Sequence, residues 1–284
     1  MNVVLVAGAG PAGPAADALR EVGGVGEVEV VVLPEPAGRA ELDPVLNRLA
    51  GRRLVVAGSP AALADVLTRL LRRDELGTTP VGVISPAGRL GVGGVGRDGV
   101  WVGDPTGHLG TDGVGRDEVG AGHPAGGLGA GGVGRDQVGP VGGWVGEVGA
   151  AGGLAAAAPI AVAGLPVPAD LVRDDHGGVL VDRAELTPWR GRRLGLRAYV
   201  DDTPVADGEV AGLTVFVTGR GTLVARARPG RRWRAEPARA AAGRAVQVSC
   251  AEAGLTVDGR AHPRPVTRRN WWVEPGRWLL MRSR

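Results

Sequence analysis

The first 85 residues alternate short apolar runs with longer amphipathic segments. Runs such as Val3–Val6 and Leu54–Ala57 are continuous, as expected for strands that are buried on both faces of a parallel sheet. The sequence predicts four strands and three helices, in chain order Asn2–Ala7, Pro14–Val22, Val28–Leu33, Glu41–Leu49, Leu54–Ala57, Ala61–Arg73 and Val81–Ile84. This alternation predicts an α/β domain over residues 1–89 with a doubly wound parallel sheet.

The pattern changes near residue 90, where glycine becomes dominant. The segment Gly-Val-Gly-Arg-Asp occurs at Gly94–Asp98, Gly113–Asp117 and Gly132–Asp136, with a spacing of 19 residues. A fixed period is typical of solenoid repeats, but glycine loses the most backbone entropy when a chain folds. Two alternatives therefore stay open for a Gly-rich insertion over residues 90–153, a flexible segment and an ordered β-rich coil.

Residues 154–284 carry a β-rich pattern. Apolar runs separated by glycine, aspartate and proline predict strands at 179–181, 194–200, 213–217, 245–249, 255–257 and 271–273, and hence a mainly antiparallel β domain. The longest apolar stretch, Leu154–Leu165, is too short to span a membrane and contains Pro159. No positive residue precedes the first apolar run, so no secretory signal and a cytoplasmic location are expected.

Composition and charge exclude several classes of function. The chain has a single cysteine, Cys250, and four histidines without close spacing, so neither a disulfide framework nor a metal site is expected. Every cation is arginine, which excludes lysine nucleophiles. Residues 220–284 hold 15 arginines and 4 acidic residues, a net charge of +11. This charge indicates a solvated surface or a contact with lipid or an anionic membrane.

Nucleic acid is the less expected partner of the basic region, because no RNA-binding signature accompanies its tryptophans. The oligomeric state cannot be predicted from the sequence.

One candidate site is the turn after the first predicted strand. Gly8, Gly10 and Gly13 form a Gly-x-Gly-x-x-Gly motif between a strand and a helix, and Glu35 follows the second strand. In that context the glycines and the helix N-terminus bind a pyrophosphate, and the carboxylate binds a ribose. The motif predicts an oxidoreductase that binds FAD or NAD. The alternative is a glycine-rich turn without a cofactor, since glycine is frequent throughout this chain.

The layout of the chain resembles the catalytic domain of the diacylglycerol kinase family. A helix, a strand that ends at Gly58 and a second helix precede the strand Pro80–Ile84. Near the C-terminus, Leu255–Arg260 and Trp272–Gly276 resemble the family's closing segment, which packs back on the first domain. The resemblance implies a lipid kinase fold, ATP and Mg²⁺ as cofactors, and phosphorylation of a lipid hydroxyl. It also implies phosphate binding at Gly58 and Ser59 and a general base at Asp258.

The chain departs from this family at the residues that carry the chemistry. The family's Gly-Gly-Asp-Gly-Thr is replaced by Gly58-Ser59-Pro60-Ala61-Ala62, and Arg260 replaces the glutamate of Asp-Gly-Glu. The lost glycines and carboxylates are those that approach phosphate groups and position Mg²⁺. We therefore expect kinase activity to be weak or absent, as in a pseudoenzyme. A non-enzymatic binding module is the further alternative.

Overall fold

The computed structural model describes residues 1–8, 12–49, 51–85, 153–219, 221–229 and 240–283. The helices are α1 (Ala12–Arg20), α2 (Arg39–Leu46), α3 (Pro60–Arg72) and α4 (Gly153–Ala163). The strands are β1 (Val3–Ala7), β2 (Val28–Val32), β3 (Arg53–Ala57), β4 (Pro80–Ile84), β5 (Leu165–Asp174), β6 (Val179–Leu180), β7 (Arg183–Pro188), β8 (Leu194–Val200), β9 (Thr203–Thr218), β10 (Thr222–Pro229), β11 (Ala240–Gly243), β12 (Ala245–Val257), β13 (Arg260–Ala261) and β14 (Val266–Arg282). The three predicted repeats and Gly10 lie outside the described residues.

The N-terminal part is a parallel sheet with helices on both faces. Its strand order is β2-β1-β3-β4, and every neighbouring pair is parallel. Because side chains alternate along a strand, Val4 and Leu54 pack with α2 and α3, whereas Val3 and Val55 pack with α1 and α4. Burial on both faces explains why these strands are continuous apolar runs in the sequence.

The C-terminal part is antiparallel around a separate apolar core. Its long strands β9 and β12 each pair with both β7 and β8, and register shifts interrupt β9 and β12. The combination of an α/β part with a β-rich C-terminal part agrees with the sequence prediction.

Strand β14 joins the two parts. Its first half pairs antiparallel with β12, and β5 pairs antiparallel with both halves. On the other side of its second half, Leu279 and Leu280 pair in parallel with Pro80 and Val81 of β4. Among the described residues, the strands consequently form one 14-stranded sheet. Strand pairing through β14 therefore joins the α/β part to the β-rich part.

Helix α4 was not predicted, because Pro159 interrupts its apolar sequence. The helix retains Pro159 inside it, at the cost of one backbone hydrogen bond. Burial of Ala158, Ala161 and Val162 against β4 and α1 offsets that cost. Within the described ranges, no helix is long and apolar enough to cross a membrane.

Candidate functional site

A cleft opens at the carboxyl ends of the parallel strands, beside α3. The cleft is shallow and partly open to solvent, with about 240 Å³ of space between its walls when the open solvent is included. The walls are formed by Val6, Ala7, Gly8, Leu33, Pro34, Glu35, Ala37, Ala62, Asp65 and Val66. In the order β2-β1-β3-β4, the chain leaves β1 toward β2 on one side and returns to β3 on the other side. Ligands of open α/β sheets bind where the strand order reverses in this way. The cleft is therefore the candidate site.

The turns after β1 and β3 lie next to each other at this edge. A Cβ atom on Gly58 would lie 3.9 Å from the backbone nitrogen of Gly8. Ser59 follows as the N-cap of α3, and its Oγ accepts a hydrogen bond from the Ala62 N–H at 3.2 Å. Pro60 occupies the first helical turn and has no N–H. Fewer backbone N–H groups at the start of α3 are therefore free to bind an external anion than at the start of an uncapped helix.

The Glu35 carboxylate lies over these two turns. Its Oε1 accepts a hydrogen bond from the Ser59 hydroxyl at 3.2 Å, and the same atom is 3.0 Å from the position of a Cβ on Gly8. A negative charge near the N-terminus of α3 is favourable because of the helix dipole. The Glu35 carboxylate thus lies at the carboxyl edge of the parallel sheet, beside the first turn of α3.

An ion pair closes the opposite wall of the cleft. Arg260, in β13, donates to both carboxylate oxygens of Asp65 in α3, with nitrogen–oxygen distances of 2.8 and 3.0 Å. Asp65 also accepts a hydrogen bond from the Ala37 N–H at 3.0 Å. The Asp65 carboxylate raises the pKa of Arg260 above its usual value. This pair connects the β-rich part of the chain to the wall of the cleft.

A double-mutant cycle measures this connection. We expect Asp65→Asn and Arg260→Gln to show a coupling free energy of about 1–2 kcal/mol in urea unfolding, because the pair is bidentate and half-buried. The exposed pair of Arg197 and Asp207 is the control, with an expected coupling below about 0.5 kcal/mol. Equal coupling in the two cycles would show that the Asp65–Arg260 pair has no special role.

Asp258 lies in the two-residue turn between β12 and β13, two residues before the arginine that pairs with Asp65. Its side chain is 6% exposed and accepts hydrogen bonds from the N–H groups of Val181, Asp182 and Arg183 at 3.0, 2.7 and 3.1 Å. Burial raises the pKa of Asp258 to about 6, although the three N–H donors oppose that rise. Both carboxylate oxygens therefore accept hydrogen bonds from the backbone that connects β6 to β7.

The structure brings together only some of the residues that the sequence singles out. Gly8, Gly58, Ser59 and Glu35 meet at the edge of the parallel sheet. Gly13 lies in the first turn of α1, where a Cβ would have no neighbouring atom within 4 Å. Asp65 was missed, because one aspartate on an amphipathic helix has no signal that distinguishes it from a solvated residue.

The cleft does not fit Mg²⁺-bound ATP. Glu35 covers the two turns, Pro60 removes a donor, and the carboxylate of Asp65 is already paired with Arg260. In the part of the chain that is described, no group of three or more His, Cys, Asp or Glu side chains could hold a metal ion. Among the described residues at this edge, the fold provides a cleft without the groups that bind phosphate.

No protein-family model and no curated protein matches this chain. A solved structure described as "a putative diacylglycerol kinase from Bacillus anthracis str. Sterne" matches with a TM-score of 0.54 and 9% identity, over 99% of this chain and 96% of that chain. A structure of a diacylglycerol kinase from the same organism matches with a TM-score of 0.50, 9% identity and the same coverage. An NAD kinase from Archaeoglobus fulgidus in complex with ATP has a TM-score of 0.49 and 12% identity, over 99% and 93% of the two chains.

The match to the Bacillus anthracis structures extends over nearly the whole of both chains. The resemblance seen in the sequence is therefore confirmed as a likeness of fold. The chain has a diacylglycerol kinase fold at very low sequence identity.

Proposed function

We propose that this chain is a pseudoenzyme of the lipid kinase fold, which does not transfer phosphate. The observation that carries the proposal is the position of Glu35, hydrogen-bonded to Ser59 and in contact with Gly8. Phosphoryl transfer depends on positioning the nucleotide and on stabilising its negative charge. A carboxylate at this edge opposes both requirements.

A carboxylate beside a phosphate group opposes binding by charge repulsion. Two unit charges of the same sign 4 Å apart repel by about 4 kcal/mol at an effective dielectric constant of 20. Since about 1.4 kcal/mol corresponds to a tenfold change in affinity, such a repulsion would weaken binding by at most about a thousandfold, and by less here because Glu35 is exposed and screened by solvent and salt. Rotation of Glu35 away from the turns would relieve it at the cost of the hydrogen bond to Ser59, and Pro60 would still offer no N–H to a phosphate.

Asp258 has a structural role in this proposal. A catalytic base must reach the proton that it removes, whereas this carboxylate is buried and accepts three backbone N–H groups. Its position in the sequence matches the family's proposed base, but its contacts hold the β12–β13 turn against the start of β7. A cytoplasmic location and a lipid or anionic-membrane partner stay predictions, whereas this proposal does not include the ATP and Mg²⁺ that the resemblance implies.

The strand order favours the kinase-fold proposal over the FAD or NAD alternative. In the dinucleotide-binding fold, the first strand lies between the second and the fourth. Here β1 lies between β2 and β3. Glu35 also contacts Ser59 at the end of β3, so its carboxylate is already engaged where a ribose would need it.

A transfer assay tests the proposal directly. The full chain is incubated with Mg²⁺, γ-labelled ATP and diacylglycerol in vesicles, and labelled phosphatidate is measured. We expect no product above the protein-free control, for the natural chain and for Glu35→Ala, because that substitution does not restore the donor missing at Pro60. Product that increases with protein and saturates with ATP would contradict the proposal.

A further inference from the structure

The outer face of the β10-β9-β7 sheet is separate from the cleft and carries an unusual set of side chains. Alternation along the strands directs Leu213, Ala225 and Leu186 into the core. The opposite face presents Phe216, Arg226, Arg228, Thr187 and Trp189, which together are called the arginine–aromatic face. Phe216 and Trp189 are 36% and 42% exposed, values that are high for aromatic side chains.

The strand register places these residues in one continuous surface. Arg226 is opposite Thr214, and Phe216 is opposite both Val224 of β10 and Arg183 of β7. Along β7 the same face continues from Arg183 to Thr187, and Trp189, directly after the strand, lies beside Thr187 over Gly254. Six residues of strand extend over about 20 Å, so the two aromatic side chains lie at opposite ends of the surface with arginines between them.

Two glycines form the floor of this face. A Cβ on Gly212 would lie 2.6 Å from Nη2 of Arg228, and a Cβ on Gly254 would lie 3.7 Å from Cε3 of Trp189. The guanidinium of Arg228 and the ring of Trp189 therefore lie against the sheet, each over a position without a side chain. Groups held in this way keep one side open to solvent, since both residues are exposed.

The charge of the face is strongly positive. Neither Arg226 nor Arg228 forms an ion pair with any described residue, and the same holds for Arg190 and Arg192, which follow Trp189. Glu185 is the acid between them on β7, and it pairs with Arg183 at 3.2 Å. The surface consequently combines uncompensated guanidinium groups with exposed aromatic rings.

We infer that the arginine–aromatic face binds single-stranded nucleic acid. Such ligands combine a phosphate backbone, which arginines neutralise, with bases that stack on aromatic rings and guanidinium planes. A membrane surface matches this geometry less well, because a membrane anchor inserts its aromatic side chains into the lipid, whereas Trp189 lies on the sheet. The sequence did not predict this partner, since strand pairing alone brings Trp189 and Arg228 onto one face.

Fluorescence anisotropy with labelled oligo(dT) and oligo(U) of about 20 nucleotides tests this inference on the full chain. We expect Arg226→Gln/Arg228→Gln to weaken binding at least tenfold and to lower the salt slope by about 1.4 between about 50 and 200 mM salt. Trp189→Ala is expected to weaken binding about tenfold without changing that slope, because stacking releases no counterions.

The control variant is Arg20→Gln/Arg72→Gln, which removes the same charge from exposed positions on α1 and α3. Circular dichroism verifies that every variant is folded. The inference is contradicted if the natural chain binds neither oligonucleotide, or if the control variant weakens binding as much as the Arg226/Arg228 variant. It is also contradicted if the Arg226/Arg228 and Trp189 variants lose binding to phosphatidylglycerol vesicles but keep oligonucleotide binding.

Discussion

Replacing Asp258 with alanine is expected to destabilise the folded protein by about 4 kcal/mol. The substitution leaves the N–H groups of Val181, Asp182 and Arg183 without an acceptor, and each buried unsatisfied group costs about 1–3 kcal/mol. It also places alanine at a φ of 51°, a left-handed conformation that aspartate and asparagine tolerate better. Urea unfolding followed by circular dichroism measures the loss.

Asp258→Asn separates the backbone conformation from the charge. Asparagine suits the left-handed turn but presents an NH₂ group to at least one N–H donor, so we expect a smaller loss of about 2 kcal/mol. A loss below about 0.5 kcal/mol in both variants would show that the carboxylate does not hold the start of β7.

The same residue gives stability a defined pH dependence. Burial raises the pKa of Asp258 from 3.8 to about 6, so the folded protein retains a proton that the unfolded chain releases. The stabilisation from the protonated carboxyl is fully present below about pH 4 and is lost as the pH rises through about 6. Relative to Asp258→Asn, the natural chain should lose about 3 kcal/mol between these limits. A pH-independent difference would contradict this account.

Gly82→Ala is expected to destabilise the protein by about 3 kcal/mol, or to prevent α4 from packing on β4. A Cβ at Gly82 would lie 2.3 Å from the carbonyl oxygen of Ala161 and 2.8 Å from the Ala161 Cβ. Real Cβ atoms do not approach backbone this closely, so the helix must move and the buried contacts around it loosen. The change in the free energy of unfolding measures the cost.

Gly77→Ala is the matched control for this effect. Gly77 is exposed, and a Cβ there would have no atom within 4 Å. Its substitution should change stability by no more than about 0.5 kcal/mol. If Gly82→Ala were as mild as Gly77→Ala, the close packing of α4 on the sheet would be wrong.

The elements of the α/β part were predictable because their strands are buried on both faces. Continuous apolar runs such as Val3–Val6 leave few alternatives to a parallel sheet. Helix α4 was missed because Pro159 is a poor helix residue, and only burial against β4 compensates for it. The sequence pattern of a segment reflects its own helix propensity, whereas α4 is stabilised by packing on β4 and α1.

Some contacts of the candidate site follow from the strand topology, whereas others depend on tertiary contacts that the sequence does not show. Gly8 and Gly58 follow strands that end at one edge, so their proximity follows from the topology. The contact of Arg260 with Asp65 joins residues 195 positions apart, and nothing in the sequence selects that acid among the others. Glu35 was interpreted as a ribose ligand, whereas its bond to Ser59 depends on a loop conformation that the motif does not specify.

The measurement that most directly tests the pseudoenzyme account is the thermal unfolding midpoint of the full chain with and without Mg²⁺-bound ATP. A ligand at 100 times its dissociation constant would stabilise the fold by about 2.7 kcal/mol and raise the midpoint by a few degrees. The account predicts no shift with ATP, and none with the FAD and NAD controls, because Glu35 and Pro60 oppose phosphate binding at the described turns after β1 and β3. A saturable shift with Mg²⁺-bound ATP would contradict the account, and a shift with FAD or NAD would favour the dinucleotide alternative.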